Sequence, residues 1–313
     1  MYEQGSLTRE AAVQSWLGKT IMLSLDGAST ASWSGLSDPT WLDPADGWPA
    51  WQSSVPGRHL LITVDMLPTP PEGGTVSLAE CASHDYDSHW ITLAQNLVAW
   101  NLGDAILRLG HEFNGNWYPW AAFVPPSTPA QYAGCFQSMV TAMRGVAGQQ
   151  FTFNWNASLG QDNDVSLAYP GDTYVDSIGV DAYDVSYTFY GTTTQATPTE
   201  QASAWAVILD AKATQYGLTY FANFARQHGK PLTFPEWGVW NTSAGHGGGD
   251  DPAFIQNMHD FIFDPANGVA WHDYFNVHST DGYDHELYSP GDTTEFPRSA
   301  AKFLALFGAP DGG

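Results

Sequence analysis

Residues 105–120 read AILRLGHEFNGNWYPW. The opening AILRL is a short apolar run of the kind that forms a strand covered on both faces. The run ends at Gly110. His111, Glu112, Asn114, Asn116, Trp117, Tyr118 and Trp120 then crowd into the next ten positions. His111 and Glu112 therefore stand at a strand's carboxyl end, the place where barrel enzymes keep their chemistry. A glutamate between a histidine and a phenylalanine, followed at once by three large aromatics, is a costly way to build a plain loop. A metal site on His111 and Glu112 fits poorly, because adjacent residues at a strand end point in opposite directions.

Similar runs recur on either side. They are residues 20–25 (TIMLSL), His59–Val64 (HLLITV), 151–155 (FTFNW), 175–180 (VDSIGV), 231–234 (PLTF) and 274–278 (YFNVH). Helical patterns lie between several of them. Residues 87–102 place Trp90, Leu93, Leu97 and Trp100 at helical spacing. Residues 129–147 follow Thr128, a cap, and begin with Pro129. Residues 199–217 and 219–228 read as one interrupted helix or two. Pro252–Phe263 follows the cap Asp251, and Pro297–Phe307 precedes Gly308 as a stop. This alternation predicts one α/β domain over residues 1–313 with a parallel sheet. Seven strands can be counted, and an eighth is expected within residues 32–52, which would complete a (β/α)8 TIM barrel. An open doubly wound sheet is the competing architecture. It lacks support, because no glycine-rich phosphate loop joins an early strand to a helix, and 245–249 carries no Lys-Ser/Thr.

Composition narrows the ligand. The 313 residues hold 33 acidic and 10 basic side chains, a net charge of −23. A phosphate backbone needs a basic stripe, so nucleic acid is excluded as a partner, and an anionic membrane would be repelled likewise. No apolar run is long enough for a membrane span. Charged residues are 14% of the chain and aromatics another 14%. Surfaces that stack on a neutral ligand fit that balance better than surfaces that pair charges. No basic and apolar leader is visible at the start, so a signal peptide is not apparent in the chain shown. Cys81 and Cys135 leave open one bridge or two thiols. A monomer with no cofactor and no metal is expected.

A second feature is Pro235-Glu236-Trp237-Gly238, directly after PLTF. Two strand-end glutamates, Glu112 and Glu236, form a pair, and paired carboxylates flanking a bond are what glycoside hydrolysis needs. A third feature is Val180-Asp181-Ala182-Tyr183-Asp184. Period two points Asp181 and Tyr183 to one face, where the Tyr183 hydroxyl can bond a carboxylate. Asn154, Trp155 and Asn156 offer amides and a ring suited to sugar. His278–Tyr288 holds Asp281, Tyr283, Asp284, His285 and Glu286, and reads as a substrate loop, a cation site (with His278, Asp281 and His285 as ligands) or a bland acidic loop.

On RLGHEFNGNWYPW, PEWG and VDSIGVDAYD the chain resembles glycoside hydrolase family 26, a family that includes β-mannanases and lies in the large clan of retaining (β/α)8-barrel glycosidases. The resemblance implies Glu112 as general acid/base and Glu236 as nucleophile. It implies that His111 binds sugar or tunes the site, that Trp117 and Trp120 line subsites, and that Tyr183 orients the nucleophile. Asn114, Tyr118, Asn154, Trp155, Asp181, Trp237 and His278 complete the expected substrate-binding set. The expected activity is a retaining endo-β-glycosidase on a neutral polysaccharide, β-mannan or another β-glycan, in an extracellular, secreted setting. A carbohydrate-binding barrel without catalysis and a related glycosidase on another glycan are the alternatives.

Overall fold

The computed structural model describes residues 5–28, 31–68, 76–210, 216–279 and 282–309. Seven strands form one sheet: β1 (Leu23–Ala28), β2 (His59–Val64), β3 (Ile106–Leu109), β4 (Thr152–Ser158), β5 (Ser177–Tyr183), β6 (Leu232–Gly238) and β7 (Val269–Tyr274). Each pairs in parallel with the next, in the order β1-β2-β3-β4-β5-β6-β7. The sheet curls until β1 and β7 approach each other. Ten helices accompany it: α1 (Leu7–Leu17), α2 (Trp33–Ser37), α3 (Trp48–Ser53), α4 (Leu78–Ala82), α5 (Asp87–Ala99), α6 (Pro129–Arg144), α7 (Pro198–Leu209), α8 (Leu218–Gln227), α9 (Pro252–Phe263) and α10 (Pro297–Phe307). The fold is the expected α/β barrel.

The helix ends follow local chemistry. Thr128 and Gln131 form a reciprocal capping box on α6, and Thr197 with Glu200 does the same on α7. The Asp251 carboxylate accepts from the backbone N–H groups of Ala253 and Phe254 at the start of α9. Two expectations need correction. Residues 32–52 contain no strand; they hold α2, a 3-10 turn and α3, because Ser32 caps the first and Pro49 sits in the first turn of the other. The last strand is Val269–Tyr274 rather than residues 274–278, of which all but Tyr274 lie in the loop beyond it. Its outer rim is only partly buried, so its apolar signal is weak. Helix α1, capped by the Ser6 hydroxyl and closed by the left-handed Gly18, had no reading in the sequence.

Two layers cover the strands. The outward side chains Leu60, Ile62, Leu107, Phe153, Ile178 and Phe234 are buried beneath the helices in the main core. The inward side chains Leu25, Leu61 and Ile106 form a separate apolar floor inside the barrel. Cys81 on α4 and Cys135 on α6 are joined as a disulfide across a sequence separation of 54. That resolves the open alternative in favour of the bridge.

Candidate active site

Strand β3 alternates. Ile106 belongs to the interior floor, so Arg108, two residues on, faces the same interior. The register sets Thr63, Arg108, Asn154 and Ser177 side by side on neighbouring strands. This is a polar layer above an apolar floor. The Asn154 amide donates to Ser177 Oγ and to Thr233 Oγ1, both at 2.9 Å. Gly179 must stay small beside it, because a Cβ there would come within 2.7 Å of Asn154 Oδ1.

Arg108 is fully buried and organises the next level. Its guanidinium donates to Asp181, to Glu236 Oε1 at 2.5 Å and to Asn156 Oδ1 at 2.8 Å. Burial opposes its charge, but Asp181 and Glu236 hold it protonated far above the ordinary arginine range. Asp181 in turn accepts from the Asn156 amide at 3.0 Å and from the Glu236 backbone N–H at 3.1 Å. Glu236 lies within β6, where the pairing slips in register against both β5 and β7. Such irregularities re-aim side chains. The second oxygen of Glu236 accepts from the Tyr183 hydroxyl at 2.6 Å. Both oxygens of this carboxyl are therefore fixed by the protein.

Glu112 reaches the same cleft from the end of β3. Gly110 has φ +51°, and Glu112, which is not a glycine, also has φ +51°. A left-handed non-glycine residue costs of order 1–3 kcal/mol and persists only where its surroundings fix it. Here they do. The Glu112 N–H donates to Asn156 O at 3.0 Å, and the Trp120 indole N–H donates to His111 O at 2.7 Å. Asn114 and Ser158 exchange two bonds of 2.8 Å. The Trp117 indole N–H donates to Glu112 Oε2 at 2.8 Å. Burial first, and then the charge of Glu236, push the Glu112 carboxyl up to about 7.

His111 is buried, and its Nε2 pairs with the Tyr118 hydroxyl at 2.9 Å. Burial, helped by Arg108, holds its pKa well below the ordinary histidine value. Tyr118 stacks on Trp120 with ring centroids 4.6 Å apart. On the other side, Trp240 and His285 pack around Tyr183.

The structure thus brings Glu112, Glu236, His111, Trp117, Tyr118, Asp181 and Tyr183 to one end of the barrel. It removes others from the surface a sugar can reach. Trp155 is fully buried outside the barrel against Phe113 and Phe224, and Trp237 likewise against Phe254 and Phe303. Both follow or precede an inward residue, so period two turns them toward the helices. Trp120 is fully buried beneath Tyr118, and Asn114 is a buried loop clamp. Asn154 lies beside Arg108 in the polar layer inside the barrel. His278 is exposed on the loop after β7, with its Nδ1 3.1 Å from Asp284 Oδ2. Asp281 lies outside the described residues. Among the described residues no three His, Cys, Asp or Glu side chains cluster as a metal site. Arg108 is a site residue that the sequence reading passed over, whereas Asn156, read there as suited to sugar, bonds Arg108 and Asp181 instead. A charged residue in an apolar run, AILRL, was the available signal for Arg108.

A parallel barrel with two glutamates at the carboxyl ends of β3 and β6 is an arrangement that glycoside hydrolysis can use. Comparison with known proteins agrees. The model for glycosyl hydrolase family 26 matches residues 94–217. Endoglucanase H of Acetivibrio thermocellus is 33% identical over 133 residues, 41% of this chain and 14% of that protein. The fold matches a modular endo-β-1,4-mannanase from Cellulomonas fimi with a TM-score of 0.65 at 19% identity, covering 94% of this chain and 64% of that one. It also matches a family 26 β-mannanase from Bacteroides ovatus, with a TM-score of 0.60 at 17% identity over 94% and 81% of the two chains. Over residues 94–217 the chain is similar to glycosyl hydrolase family 26, and the likeness to the solved structures shows a shared fold. The chain spans about a seventh of the curated relative's length.

Proposed function

We propose that the protein is a retaining endo-β-glycosidase acting on a neutral β-glycan, β-1,4-mannan foremost. The observation that carries this reading is the contrast between two carboxyls in one cleft. Glu112 is raised to about 7 by burial and by its partner, as a general acid requires near neutral pH. Glu236 is held on both oxygens by Arg108 and Tyr183, which aims it without supplying it a proton to give. In the proposed reaction Glu112 protonates the departing glycosidic oxygen while a Glu236 oxygen attacks the anomeric carbon. A covalent glycosyl-enzyme forms. Glu112, now a carboxylate, takes a proton from water, whose oxygen displaces Glu236 and leaves the anomer with its starting configuration. The mannan assignment leans on the printed activities of the Cellulomonas and Bacteroides proteins. The disulfide supports an extracellular setting, since such bridges persist where conditions oxidise.

The test is product release from mannans, mixed-linkage glucan and β-1,3-xylan, with Glu112→Ala and Glu236→Ala beside the wild type. The reading expects one polymer to be cleaved, the anomer formed first to be the retained one by NMR, and each variant to lose at least about 100-fold in kcat. Turnover by Glu236→Ala close to wild type would overturn it.

A further inference from the structure

Aromatic rings left in solvent are unevenly distributed on this protein. Among the described residues the exposed aromatics are Trp41, Trp117, Tyr187, Phe263 and Tyr283. All but Phe263, at the end of α9, stand on the face of the barrel that carries the glutamates. Trp41 is fixed there by its indole N–H, which donates to Gly27 O near the end of β1 at 2.7 Å. Tyr187 is the most exposed of them, at 80%.

Tyr187 is nonetheless held. Its ring lies 4.5 Å from the His246 ring. His246 has φ +58°, a strained value for this residue. Its N–H donates to Gly191 O at 3.1 Å, its carbonyl accepts from Ser186 N–H at 2.9 Å, and its Nδ1 lies 3.1 Å from Tyr190 O. A bridge between Val185 and Gly247 and a 2.7 Å bond from Gln195 Nε2 to Gly248 O stitch the loops after β5 and β6 together. Gly247 is required in this seam, since a Cβ would come within 2.3 Å of Trp240 O. Tyr187 is four residues beyond Tyr183, whose hydroxyl touches Glu236. The two Cα atoms are therefore at most about 14 Å apart.

Fixing an aromatic ring in water buries no apolar surface of its own, so packing does not account for it. We propose that Tyr187, backed by His246, is a sugar-binding platform at one end of the cleft. It takes the apolar face of a pyranose ring of the bound glycan, a few units from the scissile bond. This rests on the glycosidase reading above and adds a subsite to it. Tyr187 stands on the loop directly after Tyr183, within about 14 Å of the residue that touches Glu236, and this nearness selects the same glycan chain as occupant, rather than a protein partner.

The experiment measures kcat/KM on β-1,4-linked manno- and cello-oligosaccharides of three and six units. It uses wild type, Tyr187→Ala, Tyr187→Phe and His246→Ala, with melting temperatures as a folding check. The platform expects Tyr187→Ala to lower the ratio of hexamer to trimer kcat/KM about five- to tenfold, through KM, the size of a lost stacking contact. Tyr187→Phe should keep most of the ratio, and His246→Ala should lower it part of the way. An unchanged ratio in Tyr187→Ala, or equal losses on both lengths, overturns the platform and leaves the glycosidase reading intact. A folded wild type that cleaves neither series and no polymer of the panel overturns both.

Discussion

At the scale of single residues, the site depends on where one proton sits and what one cation neutralises. Asp181, Glu236 and Glu112 surround the single buried guanidinium of Arg108. Arg108 does not touch Glu112, which burial and then the charge of Glu236 raise to about 7; burial raises Asp181 as well, although Arg108 opposes it. On the proposed mechanism the kcat/KM profile should therefore fall on its alkaline side near pH 7, where Glu112 loses the proton that the mechanism has it donate. Trp117 opposes that rise, because an N–H donor stabilises the carboxylate form. In Trp117→Phe the alkaline limb should move upward by about half to one unit; a limb that stays put would show that the indole does not set the acid. Arg108→Met leaves Asp181 and Glu236 buried without their counter-charge. Breaking such a pair costs about 3–5 kcal/mol, to be read as a lower urea midpoint with an unchanged slope.

At the scale of elements, two kinds of constraint act around the loop that carries Glu112. The first is backbone: the left-handed Gly110 and Glu112 turn the chain sharply after β3, and bonds to β4 fix the turn. The second is covalent: the Cys81–Cys135 bridge joins α4 to α6, the helices on either side of β3. Closing a loop of that length removes unfolded-state entropy worth about 4 kcal/mol in the chain-entropy account. Cys81→Ala paired with Cys135→Ala should lose about 2–4 kcal/mol in chemical denaturation, and unfolding with reductant should approach the same value. Strands were legible where both faces are buried, as in His59–Val64, whose bounds coincide with β2. The last strand was not legible in the same way, because VAWHDY mixes exposed and buried positions and its apolar periodicity is weak.

At the scale of the whole molecule, pH should act through buried carboxyls. Burial pushes Glu10 and Glu112 up to about 7 and Asp273 up to about 6, and raises Asp26 and Asp251 as well. In the unfolded chain such groups lose their protons near pH 4. Between about pH 4 and 7 the folded protein thus binds more protons, so their contribution is full below that window and is lost as pH rises through it. His111 and His272 act in the opposite sense. Burial depresses both, His272 to about 3, so below about pH 6.5 the unfolded chain gains protons that they do not. The carboxyls outnumber them, and the net charge of −23 adds repulsion that protonation relieves. The melting temperature should therefore be higher at about pH 5–6 than at pH 8, and Glu10→Gln should flatten the difference. A melting temperature that rises steadily to pH 8 would contradict this account.

The sequence alone determined what depends on neighbours along the chain. Period and caps specified a parallel α/β barrel. The apolar runs located the strand ends, and AILRLGHEF and PEWG placed Glu112 and Glu236 at two of them. Tertiary structure alone decided what depends on facing. A ring on a strand, such as Trp155 or Trp237, points to the barrel interior or to the helices according to strand period, register and bulge, and these are fixed only when strands pair. Arg108 became the centre of the site only when residues 73 and 128 positions away met it across the barrel. The meeting of Cys81 with Cys135, and of Tyr187 with His246, is of the same kind. Each is set by the distance between elements in space, on which sequence spacing is silent.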